Sequence, residues 1–302
     1  MYIANPIYDV VFKYLMEDGK IAKLIISSII DETISELTFL PKEFSSDVEK
    51  RTKKKTRNSK TVYRLDFSAK IKTEDGFKQV IIEIQKAKFA TDIMRFRKYL
   101  GEQYSNKENS QVVQIKNRKR KIGVPIISIY FLGHRLNTTK ASIIGIKRIY
   151  TDLVTGKTIQ TKEAFIESLT HDSYVIQIPE LVGKRRNELE ILLSVFDQST
   201  AVDNEQHILN IKEEDYPEKY RTIIRKLQIA VQDTEIKKKM VLEDGILDEL
   251  EDMDREIEEL TEENEEYRKK IDIAEQEKIQ IEQENEKLRA KLLEFETKFN
   301  KK

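Results

Sequence analysis

RLDFSAKIKTEDGFKQVIIEIQ, residues 64–85, decides the reading of this chain. Its centre, Thr73-Glu74-Asp75-Gly76, is a turn signal of the Asp-Gly type. On either side the residues are rich in Val, Ile and Phe, as strands require. A hairpin closed at Asp75-Gly76 puts Asp66, nine residues before Asp75, on one arm and Glu83, seven after Gly76, on the other. One bulge or a slight register offset brings the two carboxylates together at the open end. Held there, they form a hard-oxygen site suited to Mg²⁺ or Mn²⁺.

Within each arm the sidedness is informative. Asp66 shares a strand face with Arg64, Ser68 and Lys70, while Leu65, Phe67, Ala69 and Ile71 make the apolar face. The second arm, Val80-Ile81-Ile82-Glu83-Ile84-Gln85, is nearly continuous apolar sequence broken by an acid and an amide. A strand buried on both faces accommodates Glu only where something neutralises it. A surface hairpin whose acids face water is the alternative, and Glu83 inside an Ile-rich run argues against it.

An Asp followed fifteen to twenty residues later by Glu-x-Gln resembles the PD-(D/E)XK nuclease motif, with Gln85 in the final Lys position. The nearer resemblance is to the nuclease family transposases of the recombination-promoting nuclease (Rpn) group, with their Arg-x-Asp strand, Gly-containing turn and Glu-x-Gln strand. Asn5-Pro6-Ile7-Tyr8-Asp9-Val10-Val11-Phe12-Lys13 resembles the group's opening Asp-x-x-Phe-Lys. Arg95-Phe96-Arg97-Lys98-Tyr99 resembles the helix after the Glu-x-Gln strand, and Val124 to Gly133 the next core strand. The resemblance spans most of residues 1 to about 255.

The resemblance implies a restriction-endonuclease-like αβββαβ core with a mixed sheet, where local patterns alone give only α/β or α+β. It implies that Asp66 and Glu83 hold the metal, with the backbone carbonyl of Ile84 completing the set. Asp9, in the first helix, is the best candidate for a further acidic ligand, and a helix-surface Asp is its alternative. Gln85 can orient a water but carries no charge and is a poor base. Lys86, pointing to the other face of a strand, is no simple substitute. Proton removal then falls to the metal or to a second one.

The net charge of zero conceals a division. Residues 1–240 hold 43 Lys and Arg against 32 Asp and Glu, a net +11, and residues 241–302 hold 11 against 22, a net −11. The basic part suits a body that meets a polyanion such as DNA. Lys53-Lys54-Lys55 with Arg57, Arg118-Lys119-Arg120-Lys121, and Lys184-Arg185-Arg186 are candidate phosphate contacts, each also readable as a solvated loop. Arg95 and Tyr99 lie four apart on one helical face and could look onto the site, with packing the simpler role for Tyr99.

Zero cysteines exclude disulfides, thiolate catalysis and Cys-based zinc sites, and fit a cytoplasmic protein. His134, His171 and His207 are too scattered for a multi-histidine centre and read as surface or capping residues. The N-terminus lacks a basic leader, and no run approaches the roughly 20 apolar residues that span a bilayer.

Periodicity predicts an amphipathic helix over 6–31 with Pro6 in its first turn and a break at Gly19. It then predicts a strand over Glu36 to Leu40, a helix over 90–116, strands over 122–133, 143–151 and 174–178, and helices over 187–197 and 216–240. Residues 1–240 thus read as one nuclease-like domain with a helical extension, and 241–302 as an acidic coiled-coil tail. With heptad position a at Leu250, the a series is Leu250, Ile257, Asn264, Ile271, Lys278, Asn285, Leu292 and Phe299. The d series is Met253, Leu260, Tyr267, Ala274, Ile281, Leu288 and Phe295. In a parallel homodimer, Glu263 with Arg268, Lys270 with Glu275, Glu284 with Arg289 and Lys291 with Glu296 attract across the pair, while Glu249 with Asp254 and Glu277 with Glu282 repel. Antiparallel or hetero-pairing and a solvated single helix are the alternatives.

Overall fold

The computed structural model describes residues 1–40, 43–44, 63–64, 67–87, 92–115, 118–202 and 206–299. The chain divides into two compact units, Met1–Gly245 and Ile246–Lys302.

The first unit opens with β1 (Tyr2–Ala4), α1 (Asp9–Met16) and α2 (Gly19–Ile30). The helical stretch predicted over 6–31 is broken before Gly19, as expected, and Asp18 caps the second piece by accepting from the amides of Lys20 and Ile21. Pro6 stays outside both, because α1 starts only at Asp9. Next come β2 (Glu36–Phe39), β3 (Glu43–Phe44), β4 (Tyr63–Arg64), β5 (Phe67–Thr73) and β6 (Gly76–Gln85). The β5–β6 hairpin forms, with Thr73 opposite Gly76 and an unbroken register out to Phe67 opposite Ile82. Its two turn residues are Glu74 and Asp75, one position earlier than predicted, and Gly76 takes φ +113°, a conformation that suits glycine.

α3 (Asp92–Ser105) is shorter than the predicted 90–116. Asn106 ends it: its side chain accepts from the Glu108 amide, and its carbonyl from the Asn109 amide. The remainder forms a separate two-stranded arm, β7 (Ser110–Ile115) and β8 (Arg118–Gly123). The predicted strand over 122–133 thus resolves into the end of β8 and β9 (Ile126–Leu132). Likewise 143–151 splits into β10 (Ile143–Ile146) and β11 (Tyr150–Thr151), the latter paired with β12 (Thr158–Ile159). After α4 (Ala164–Leu169) come β13 (Asp172–Gln177), α5 (Glu188–Leu193), β14 (Ile208–Asn210) and α6 (Glu218–Gln232).

Six strands form one mixed sheet in the order β10-β13-β9-β6-β5-β2, with β9 parallel to both β6 and β13 and the remaining pairs antiparallel. Phe67, Ala69 and Ile71 of β5, with Val80, Ile82 and Ile84 of β6, join the main core with residues of α1, α2, α5 and α6. The alternate residue Ile81 packs instead with Phe96 and Tyr99 of α3. That alternation is the period of two expected of a strand. It turns Gln79, Glu83 and Gln85 toward the α3 face.

Asp233 separates α6 from α7 (Thr234–Phe299) and caps the latter through the amides of Glu235 and Ile236. Within the first unit, Ile236 and Met240 of α7 are buried in the main core. In the second unit the heptad seam is bare in the single chain: Ile257 is 58% exposed, Leu260 50% and Leu288 57%. The side chains of Phe295 and Phe299 lie outside the described ones. Among the described residues no helix is long and apolar enough to cross a membrane.

Candidate metal centre

Glu83 is 1% exposed, near the end of β6, an inner strand of the sheet. Its neutralising partner is Arg95 of α3, whose Nη2 lies 2.9 Å from Oε1. Its Oε2 is buried and has no hydrogen-bond donor among the described residues. Burial pushes the Glu83 carboxyl up to about 7 against the pull of Arg95; Asp9 pushes it further and Lys13 draws it back.

Asp9 is the first residue of α1. Its Oδ2 accepts from Lys13 at 2.5 Å, one helical turn on, and its buried Oδ1 lacks a donor among the described residues. The Asp9 charge therefore acts on Glu83, and each keeps one buried oxygen without a donor among the described residues. A divalent cation between hard oxygens would satisfy both. Among the described residues no group of three or more His, Asp or Glu is placed to hold a metal. Asp66, the third predicted carboxylate, lies outside the described residues.

Gln85 shares the strand face of Glu83, is 8% exposed, and its Nε2 has no acceptor among the described residues. The Ile84 side chain turns the other way, into the main core. Gly133, just past β9, donates its amide to the Gln85 carbonyl at 2.6 Å. A Cβ at Gly133 would stand 2.3 Å from the Lys86 carbonyl oxygen, so only glycine permits this approach. Lys86 lies just past the last strand residue, and its partners Tyr8 and Asp244 stand on the main-core side, away from Gln85, as the alternation expects. Its Nζ bonds the carboxylate of Asp244 and sits 3.8 Å over the Tyr8 ring.

Sequence reasoning missed the residues around that lysine. Asp244 also receives His207 Nε2 at 2.7 Å and the Tyr8 hydroxyl at 3.2 Å. His207, read as a surface or capping residue, is 6% exposed and belongs to this cluster. Burial pushes the Asp244 carboxyl up, but Lys86, His207 and Tyr8 together bring it below the usual carboxylate range. Glu243 accepts the Asp9 amide with both oxygens, at 3.1 Å each. The signal lay in the spacing Ile236, Met240, then Glu243 and Asp244, which continues one face of α7.

The basic clusters separate on inspection. Arg118, Lys119, Arg120 and Lys121 all lie exposed on β8, and none forms an ion pair among the described residues. They occupy a strand, where a loop was the bland expectation. Lys184, Arg185 and Arg186 are each committed to an acid: Glu180 at 3.7 Å, Asp215 at 3.1 Å and Glu190 at 2.5 Å respectively. That cluster is internally compensated and offers far less charge to a phosphate than its sequence suggests. Arg95 is engaged by Glu83, and Tyr99 is 1% exposed in the smaller core cluster. Lys53, Lys54, Lys55 and Arg57 lie outside the described residues.

In comparisons with known proteins, no family model, curated protein or solved structure matches this chain.

Proposed function

We propose that the chain is a metal-dependent DNA endonuclease of the recombination-promoting type, acting as a homodimer joined through the second unit. The observation that carries the reading is the buried carboxylate Glu83, with one oxygen lacking a donor among the described residues and the Asp9 charge acting on it. The fold supports it too. α2, β2, β5, β6, α3 and β9 follow one another in the order αβββαβ, with β2, β5 and β6 as an antiparallel meander and β9 parallel beside β6. The antiparallel pairs β3–β4 and β7–β8 are insertions into that order.

In this reading Asp66, Glu83 and Asp9 hold a Mg²⁺ or Mn²⁺ ion, with the Ile84 carbonyl as a further oxygen. When bound, the ion polarises the scissile phosphate and offsets charge on the leaving oxygen. Gln85 orients the attacking water by hydrogen bonding through its amide. Arg95 limits the repulsion between Glu83 and the phosphate. Arg118 to Lys121 supply sequence-independent contacts to the DNA backbone.

The second reading is an inactive nuclease fold that binds DNA and partners. It is favoured by Gln85 at the position of the usual lysine, and by Asp244 engaging the next residue, Lys86. Nicking of supercoiled plasmid, with Mg²⁺ or Mn²⁺ against EDTA, separates the two. We expect metal-dependent cleavage by the wild type and none by Asp66→Ala. Salt-sensitive DNA binding without cleavage selects the second reading.

The bare seam of the second unit supports pairing, because four attractive flanking contacts outnumber two repulsive ones in a parallel dimer. Sedimentation equilibrium should return twice the chain mass of 35.6 kDa. A monomer across micromolar concentrations would remove the dimer.

A further inference from the structure

Glu243 and Asp244 of α7 reach the candidate centre at two separate points. α1 begins behind Tyr8, whose side chain makes no cap, so the Asp9 amide has no partner within its own helix. Glu243, distant in sequence, supplies the acceptor, and a carboxylate at that end also meets the favourable end of the helix dipole. Asp244, the next residue, draws together Lys86, His207 and Tyr8. The His207 ring meets the edge of Tyr8 with centroids 5.1 Å apart, so the cluster is packed as well as charged. One carboxylate thus fixes the backbone of Asp9. Its neighbour fixes the chain immediately after Gln85, where the strand bearing Glu83 ends.

This arrangement is expensive for packing alone. Glu243 is half-buried, and an amide could accept the same N–H bond without placing a charge there.

The geometry points to Glu243 and Asp244 as positioning residues of the metal centre, holding Asp9 and the Gln85–Lys86 segment where Asp9 and Glu83 can share one divalent cation. This rests on the metal reading given above. It also makes the root of α7 part of the site, where a boundary at residue 240 would leave it outside.

The test is Mn²⁺ titration of the full chain by calorimetry, comparing wild type, Glu243→Ala, Glu243→Gln and Asp244→Asn. Glu188→Gln, at an exposed acid paired with Lys219, serves as the charge control. Losing a residue that orients a ligand costs on the order of 10–100-fold in metal affinity, and that loss is expected for Glu243→Ala and Asp244→Asn. Glu243→Gln keeps an acceptor for the Asp9 amide and should stay within about threefold of wild type. Hydrogen exchange at the Asp9 amide should quicken in Glu243→Ala and not in Glu243→Gln. Equal weakening by Gln and Ala would reduce Glu243 to a charge effect and overturn its positioning role. Should Glu243→Ala fail to fold, the isosteric Asp244→Asn decides. A wild type that binds Mn²⁺ with all variants unchanged removes the positioning role alone, whereas a wild type that binds none removes the metal centre with it.

Discussion

Glu83 and Glu190 are both buried, at 1% and 2% exposure, and each faces an arginine, yet their electrostatics are opposite. Glu190 receives Nε, Nη2 and the backbone amide of Arg186, with the Ser142 hydroxyl at 3.4 Å. Those bonds, led by the guanidinium, outweigh burial and hold its carboxyl at about 2. Glu83 has the Arg95 bond on one oxygen, no donor for the other among the described residues, and a second carboxylate nearby. Burial then dominates, and its carboxyl rises to about 7. The pair teaches that a buried acid is not itself a sign of function. An acid whose donor set is incomplete is the informative one.

Cleavage offers the largest way to break this comparison. Glu83→Gln should lower metal-dependent nicking by about 10³-fold, roughly 4 kcal/mol of barrier, while Glu190→Gln stays within about threefold of wild type. Equal losses would erase the distinction.

The pH dependence of stability sharpens it. Glu83 keeps its proton to about 7 in the folded chain and titrates near 4.5 when unfolded. Between those values the folded state binds more protons, so this contribution to stability falls as pH rises, by on the order of 3 kcal/mol over the full window. Glu190 acts the other way: its contribution is present above 4.5 and is lost as pH falls toward about 2. Urea denaturation across pH should show an optimum near about 5, between these two windows. Glu83→Gln should flatten the alkaline limb in part, because Glu243 shares that limb, and leave the acid limb alone.

A smaller effect is expected from Glu190→Gln at pH 7, a loss of about 2 kcal/mol as the Arg186 and Ser142 donors lose their carboxylate. A change under about 0.5 kcal/mol in chemical denaturation would mean that these bonds add nothing net.

Much of the architecture was legible because its physics is local. An acid in an Ile-rich strand singled out Glu83, and helical spacing brought Arg95 into view of it. Gly19 correctly marked a break between helices. The arm β7–β8 was hidden because β8 is basic on both faces, so the alternation of a half-buried strand never appears. Lys184 to Arg186 misled for another reason: Glu180 and Glu190 each stand four positions from their basic partner, and folding brings Asp215 to Arg185 from far along the chain. Glu243 and Asp244 fell beside a heptad pattern that reads as a separate object, and nothing local reveals that they face Asp9 and Lys86.

Gly133 carries a consequence for how this chain can vary. Every single-base change that replaces a glycine codon with another amino acid adds a Cβ, and here that atom would meet the Lys86 carbonyl oxygen at 2.3 Å. Nothing flexible stands in the way to yield; the obstacle is the main chain of Gln85 and Lys86. The position therefore has no tolerant neighbour in mutational space, and a saturation library selected for folded protein should return it almost unchanged.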